Sequence, residues 1–591
     1  MEALNSSIKK VLNELYSQEV ADGQIQIQKT RKDFDGDVTL VAFPLLKISK
    51  KGPEQTSEEI GKALVEKVEY VEDFNVVKGF LNLSFTSGYW VSQLSAISAT
   101  DNYGHHAKGE DSRNVMVEYS SPNTNKPLHL GHIRNILLGH SVAEILKANG
   151  HSVKHVQIIN DRGIHICKSM LAWQMYGEGE TPQSTGLKGD KLAGRYYVKF
   201  DKHYKKQVAE LIDSGKSEEE AKAQAPLILE AREMLKKWES DDDEVRLLWA
   251  KMNGWVYDGF AQTYDRLGVS FDKLYYESDT YLIGRDLVKK GVDDGLFYQK
   301  EDNSIWCDLS EDGLDQKLLL RADGTAVYMT QDLGTAKLRY DDWKELNQLI
   351  YTVGNEQDYH FKVLFLVLGK LGFEWAKNCY HLSYGMVDLP SGKMKSREGT
   401  VVDADDLMDE MLSTAKAQSE EKGKLEGMSL EDAESLFEML GMGALKYFML
   451  KVDPKKRMLF NPAESIDMQG NTGPFIQYTH ARIQSILRKA GEESFAVPSL
   501  TSLNDIERSV IRLLTQFPEV IKTAGEEYSP AVIANYVYEL AKEYNTFYHE
   551  CPILSEEDAD VKQLRLAISK LTAQVIASGM KLLGVQVPDR M

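Results

Sequence analysis

The sequence predicts a multidomain α/β protein. A parallel-sheet central domain carries a helical insertion, with a small α+β domain before it and a C-terminal α-helical bundle after it. A strand–loop–helix–strand run over residues 115–160 has βαβ spacing, and parallel neighbours need such a crossover. Strand and helix patterns alternate on both sides of a charged stretch at about 173–250. From about residue 404 the apolar spacing is helical almost to the end. At 591 residues the chain has room for about three to five domains of roughly 100–200 residues.

Composition narrows the class. Hydrophobic residues at 42% and aromatics at 9% are enough for sizeable cores, and charged residues at 27% are ordinary for a folded protein. A net charge of −20 speaks against a generally sticky nucleic-acid binder, yet it permits a local basic track on an acidic body. Cys167, Cys307, Cys379 and Cys551 stand alone. Without a CxxC pair, neither a cysteine-rich zinc site nor a disulfide framework is expected. The first twenty residues read as an amphipathic helix without the apolar core of a signal peptide. No run of about 20 apolar residues occurs, and a cytoplasmic protein is expected.

The elements follow in order. Ile8, Val11, Leu12 and Leu15 repeat at helical spacing, strands start at Val38 and Gly79, and a helix fits 57–68. These make an α+β domain over residues 1–110, closed by a polar linker. Val115 opens a short buried strand, Ser121 to Pro127 is a loop, Ile133 to Asn149 is a helix with Gly150 as its C-cap, and Val153 opens the next strand. Residues 111–403 are expected to form the parallel-sheet α/β domain. Within it, helices at 195–214 and 217–240 read as a solvated, charged insertion. Strands return at Tyr351 and Leu382. The last domain, 404–591, holds helices at 436–452, 479–489, 506–517, 530–547 and 562–583.

The strongest chemical signal is the run SSPNTNKPLHLGHIR, from Ser120 to Arg134. It lies where a parallel strand gives way to a helix, the place where α/β sheets bind ligands and helix N-termini attract anions. His129 and His132 are three apart, so both imidazoles can face one ligand. Gly131 leaves room for a ring or phosphate, and Lys126 adds a mobile cation. Two histidines near a helix start are also a common structural feature, and a small nucleotidylyltransferase uses a similar HxGH. The whole run resembles the HIGH signature of class I aminoacyl-tRNA synthetases, which implies a Rossmann-like catalytic domain that binds ATP. A second run, PSGKMKSREGT from Pro390 to Thr400, resembles the KMSKS loop of the same class. Lys393 and Met394 match. Ser396 stands where the second lysine of that loop falls, flanked by Lys395 and Arg397. In the arginyl branch a lysine just before HIGH is thought to compensate, and Lys126 occupies that place.

A cationic side chain calls for carboxylates, and a guanidinium for paired planar acceptors. Glu118 ends the strand before the HLGH run, and Asp332 lies four after Tyr328, on one helix face. Gln357 and His360 follow another strand. Alone, each is as well explained as a helix cap or core residue. Together they resemble the substrate pocket of arginyl-tRNA synthetases. The resemblance implies arginine binding by Glu118, Ser120, Asn123, Tyr328, Asp332 and Gln357. It implies ATP binding by Lys126, His129, Gly131, His132, His360, Met386, Lys393, Met394, Lys395 and Ser396. Catalytic roles would fall to Lys126, His129, His132 and Lys393, with Mg²⁺ accompanying ATP and no zinc. The run DFDGDVTL from Asp33 resembles the N-terminal domain that contacts tRNA in this family, and the helical domain its anticodon-binding bundle.

Basic and aromatic residues interleave in the C-terminal half, as single-stranded RNA recognition requires. Lys455, Lys456, Arg457, Gln477, Tyr478, Arg482, Arg488 and Lys489 are the candidates to meet tRNA. Tyr478 would serve equally as bundle core, and Arg482 as an internal ion-pair partner. The acids are expected on surface helices, such as 217–220 and 239–244, and away from the HLGH face. The expected reaction activates L-arginine with ATP and transfers it to tRNA(Arg), carried out by a monomer. Family behaviour implies that the first step needs bound tRNA.

Overall fold

The computed structural model describes residues 2–31, 33–390, 402–421, 428–491, 496–499 and 502–591. The chain forms two compact units. One joins Met1–Tyr103 with Ile483–Phe517 and Lys542–Val575, and the other comprises Gly104–Arg482, Pro518–Ala541 and Ile576–Met591.

The first unit is built on an antiparallel sheet of Ile27–Lys29 (β1), Val38–Val41 (β2), Val71–Val77 (β3) and Phe80–Phe85 (β4), in the order β1-β2-β4-β3. The helix Glu2–Tyr16 buries Leu4, Ile8, Val11 and Leu12, one stripe at helical spacing. The helix Pro53–Lys67 starts four residues before the expected Ser57. Pro53 sits in its first turn, where a missing N–H leaves no bond unmade. Later helices of this unit are tied by a buried ion pair, Arg565 Nε to Glu507 Oε1 at 2.7 Å.

The second unit contains a five-stranded parallel sheet. Asn114–Glu118 (β5), Ser152–Ile159 (β6) and Lys273–Tyr276 (β7) come first in the chain. Tyr298–Gln299 (β8), Ile305–Cys307 (β9) and Lys317–Leu320 (β10) make a small antiparallel sheet, and Gln348–Gly354 (β11) and Cys379–Tyr384 (β12) return to the large one. Its order is β12-β11-β5-β6-β7, the Rossmann-like arrangement expected. Val115, Met116 and Val117 are fully buried, as a strand covered on both faces demands. The helix Leu130–Ala148 joins β5 to β6 and ends before Gly150, whose φ of +80° suits glycine.

The insertion differs from a set of solvated helices. Ile164–Tyr176, Gly189–Asp213, Pro226–Glu239 and Asp243–Leu267 enclose a core of their own. Ile166, Met170, Leu192, Phe200, Leu227 and Trp238 are its centre. Its charged residues alternate with an apolar stripe that the high Lys, Glu and Asp content obscured.

From Leu430 the described chain is helical, with Leu430–Leu450, Gly473–Ala490, Asp505–Thr515, Phe517–Glu526, Pro530–Glu550 and Ala559–Leu582. One exception is the pair Val387–Asp388 (β13) and Met458–Leu459 (β14), which run parallel. Two residues are too few to leave a period-2 signal in sequence. Among the described residues no helix is long and apolar enough to cross a membrane.

Candidate active site

In the large sheet β5 and β11 are neighbours, while their following strands lie on opposite sides. Such a switch in strand order opens a crevice at the carboxyl ends. The HLGH run begins there. His129 is the N-cap of Leu130–Ala148, and its Nδ1 accepts the Gly131 N–H at 3.1 Å. His132 Nδ1 accepts the His129 N–H at 3.1 Å, and the two ring centroids lie 3.9 Å apart with the planes tilted by 51°. With both Nδ1 atoms occupied as acceptors, each neutral ring carries its proton on Nε2. Burial, reinforced by Lys126, pushes His129 down to about 3. Burial, with repulsion from His129 and Lys126, drives His132 well below the usual imidazole range. Both rings are therefore neutral hydrogen-bond donors at physiological pH. Lys126 carries the local positive charge, and burial lowers its affinity for the proton.

Ser120 has φ +55°, a strained value for a residue with a side chain, at the turn out of β5. Its N–H donates to Asn135 Oδ1 at 2.6 Å, and Asn135 Nδ2 donates to the Thr352 carbonyl at 2.6 Å. Asn135 thereby bolts the helix Leu130–Ala148 to the turn after β5 and to β11. The Ser120 hydroxyl pairs with Tyr264 OH at 2.7 Å, within the protein. On the outer edge, the Leu130 N–H donates to Val402 O at 3.2 Å and the Ala404 N–H to Leu128 O at 2.9 Å.

A cavity of about 250 Å³ opens beside this edge, lined by Lys126, His129, Lys191, Arg195, Tyr197 and Asp403 among others. The expectation that acids keep away from the HLGH face fails here. Asp190, Asp403, Asp405 and Asp406 gather beside it. Local cations offset them: Lys188 pairs with Asp405 at 2.6 Å and Asp190 at 3.2 Å, and Lys191 with Asp406 at 2.6 Å and Asp403 at 3.4 Å.

Among the candidate arginine residues, Glu118 ends β5 and Gln357 follows β11 of the large sheet, whereas Tyr328 and Asp332 open the helix Tyr328–Asp342 that follows β10 of the small one. Glu118 is 4% exposed and pairs with the fully buried guanidinium of Arg339. Burial raises the Glu118 carboxyl and Arg339 opposes it. Burial works most strongly against the Arg339 cation too, but Glu118 together with Tyr351 and Tyr275 outweighs it and holds the arginine charged. Asp332 Oδ2 meets His360 Nε2 at 2.6 Å, so a residue expected at arginine touches one expected at ATP. Tyr328 is 75% exposed one turn before Asp332. Gln357 and Asn123 are exposed, and Asn123 bridges to Asn160 through the backbone.

One carboxyl had gone unnoticed. Glu277 follows β7 directly, is 8% exposed, and hydrogen-bonds Gln331 beside Asp332. Burial pushes it up to about 7, and Asp161 and Asp332 add to that while Arg162 opposes. The rule that singled out Glu118, an acid at the end of a parallel strand, would have found it. The helix Glu277–Asp293 reaches Asp332 because Gly284 and Gly334 let two helix backbones touch. A Cβ on Gly284 would lie 1.7 Å from Thr330 O.

Met386 is half-buried with its Sδ toward Gly354. Lys393, Met394, Lys395 and Ser396, with Arg397, lie outside the described residues. Among the RNA candidates, Lys455, Lys456, Arg457, Arg488 and Lys489 are exposed. The Arg482 guanidinium covers the Tyr478 ring at 4.8 Å. Gln477 is fully buried, its amide donating to the Met439 and Gln586 carbonyls at 3.0 and 2.8 Å. It is therefore not part of a surface. On an amphipathic helix, the sequence does not distinguish a buried glutamine from an exposed one.

An HLGH loop at the switch point of a parallel sheet, with helices following, is the arrangement of the class I aminoacyl-tRNA synthetases. The family described as tRNA synthetases class I (R), catalytic domain, matches residues 93–461. The DALR anticodon binding domain matches 476–591, and the arginyl tRNA synthetase N terminal domain matches 2–85. The chain belongs to the arginyl-tRNA synthetase family. It is 58% identical to an arginine–tRNA ligase of Bacteroides fragilis over 592 aligned residues, covering 100% of this chain and 99% of that one. It is 57% identical to that of Flavobacterium psychrophilum, again over 100% and 99%. Among solved structures, Thermus thermophilus arginyl-tRNA synthetase is similar at a TM-score of 0.79 and 26% identity, with full coverage of both chains.

Proposed function

We infer that this chain is an arginine–tRNA ligase of protein translation. It activates L-arginine with ATP to arginyl-adenylate and passes the arginyl group to the 2′-hydroxyl of the terminal adenosine of tRNA(Arg). What supports arginine as the amino acid is the gathering of three carboxyls: Asp332, on the helix after β10, interacts electrostatically with Glu118 at the end of β5 and with Glu277 just after β7. Charging total tRNA with each amino acid in turn tests it: arginine alone is expected to be incorporated, and charging with any other amino acid at a comparable rate overturns it.

In the activation step an arginine carboxylate oxygen bonds to the α-phosphorus, the α–β bridge breaks, and pyrophosphate leaves. No protein nucleophile is needed, so the chain supplies positioning and electrostatics. The Nε2–H groups of His129 and His132 donate to phosphate oxygens, and Lys126 and Lys393 bring charge. Gly131, His360, Met386, Met394, Lys395 and Ser396 complete the proposed ATP side. Among the described residues no group of three or more His, Cys, Asp or Glu side chains fits a metal ion. Mg²⁺ is proposed to accompany ATP, held by the phosphate oxygens. Glu118, Ser120, Asn123, Tyr328, Asp332 and Gln357, joined by Glu277, form the proposed arginine side.

For tRNA, the proposed contact residues are Lys455, Lys456, Arg457, Tyr478 and Arg482 of the second unit, and Arg488 and Lys489 of the first. Residues 1–110 are the proposed tRNA-contacting accessory domain, 111–403 the catalytic domain, and 404–591 the anticodon-binding domain. A monomer is the proposed state. The cytoplasm is the proposed compartment, because translation there supplies the tRNA.

Asp332→Asn is expected to raise the KM for arginine by about tenfold or more, with much less effect on the KM for ATP. Equal effects on both would remove Asp332 from the arginine side. Glu277 should make arginine recognition pH-dependent. Its ionised form attracts the guanidinium, and that form is lost as pH falls through about 7. The KM for arginine should rise roughly five- to tenfold from pH 8 to pH 6, and Glu277→Gln should give a raised, flat profile. A wild-type profile without this rise would show that Glu277 does not face the substrate.

A further inference from the structure

Arg134 lies two residues beyond His132 on the catalytic helix and is completely buried. No carboxylate pairs with it among the described residues. Its guanidinium donates to the carbonyls of Pro454 at 3.1 Å, Lys456 at 3.0 Å and Met449 at 3.4 Å, and meets Met458 Sδ. Burial pulls this arginine down to about 10. Burying a cation against carbonyls and a thioether, with only the more distant pull of Asp453 and Tyr384, is costly, and apolar side chains fill such a space at less cost.

The carbonyls belong to the end of the helix Leu430–Leu450 and to the loop that follows it. That loop exposes Lys455, Lys456 and Arg457. A second contact holds it from the side. The Gly385 N–H donates to Pro454 O at 2.9 Å, and β13 and β14 pair directly beyond. A Cβ on Gly385 would lie 2.5 Å from the Arg457 nitrogen and 2.6 Å from the Lys456 carbonyl oxygen. The neighbours are backbone, so any side chain there displaces the loop. Arg457 grips Asp388 on β13, with one arm at 2.7 Å.

We propose that Arg134 and Gly385 are positioning residues, which clamp the 453–458 loop onto the catalytic helix so that Lys455 and Lys456 meet tRNA phosphates at a set distance from the HLGH loop. This rests on the reading that those lysines contact tRNA. A floppy loop would carry the same charge, but each contact would then cost the ordering of the loop. The clamp removes that cost in advance.

The test measures equilibrium binding of a tRNA(Arg) transcript to full-length variants across a salt series, alongside thermal unfolding. Lys455→Ala with Lys456→Ala should weaken binding by roughly tenfold or more and flatten the log–log salt slope by about 2. If affinity and slope stay at wild type, the lysines do not touch tRNA and the RNA-face reading itself fails. If they change, Gly385→Ala decides the clamp, since it keeps every cation. It should give a comparable loss of affinity and slope, and adding the two lysine substitutions should cost little more. Wild-type binding in Gly385→Ala, or losses that simply multiply, would overturn the clamp. Arg134→Lys, which keeps the charge but cannot span three carbonyls, should behave like Gly385→Ala. Lowered thermal stability with unchanged affinity and slope in a folded Arg134→Lys protein would reduce Arg134 to a structural residue.

Discussion

His132→Ala is expected to slow arginyl-adenylate formation by roughly 10²–10³-fold, the usual loss when one preorganised donor to a developing charge is removed. Its Nδ1 is committed to the His129 N–H, so the ring offers Nε2–H in one fixed direction. Alanine removes both the donor and the support of the neighbouring backbone. Single-turnover rates at saturating arginine, ATP and tRNA would measure the loss, and a rate within threefold of wild type would take His132 out of the chemistry. The neutral rings add a second requirement. With His129 near 3 and His132 driven low by burial, neither gains a proton between pH 5 and 8. The wild-type chemical step should therefore show no inflection near 6.5, where an ordinary histidine titrates. An inflection there that vanishes in His132→Ala would mean that the imidazolium form acts.

Arg339→Met should destabilise the protein by about 3–5 kcal/mol, because it leaves the Glu118 carboxyl buried without its cation. Glu118→Gln should cost a similar amount by stranding Arg339. Both can be followed by chemical denaturation. The double variant separates structure from substrate binding. With both charges gone the stability should largely return, yet the KM for arginine should remain high. Recovery of the arginine KM together with stability would mean that Glu118 serves Arg339 alone. The same pair explains how an acid can wait in a dry pocket. One internal guanidinium keeps Glu118 from the full burial penalty, while Asp332 and Glu277 add negative charge nearby.

Much of the site could be read in the sequence because its signals are local. The HLGH run needs only a strand before it and a helix after it, and both are where apolar periodicity put them. Asp332 is a candidate because it shares a helix face with Tyr328, and Glu118 and Gln357 because ligands gather at the carboxyl ends of parallel strands. Glu277 obeys the same rule, but it begins a helix after a four-residue strand whose Lys273-Leu-Tyr-Tyr sequence is a weak signal. Arg339 and Arg134 escaped because long cationic side chains on a helix are normally exposed. Their partners lie 221 and more than 300 residues away in the chain, Glu118 for Arg339, and the Pro454 carbonyl, 320 residues off, for Arg134.

The net charge of −20 illustrates the same divide. The sequence by itself determined the order of elements, the nucleotide-type loop and the surplus of acids, since each depends on residue type and near-neighbour spacing. Only the tertiary structure decided which acids are spent. Asp405 is held by Lys188, Asp406 by Lys191 and Glu118 by Arg339. Electrostatic attraction and the cost of dehydration depend on distance and burial, and residues far apart in the chain acquire both only when the strands and helices pack.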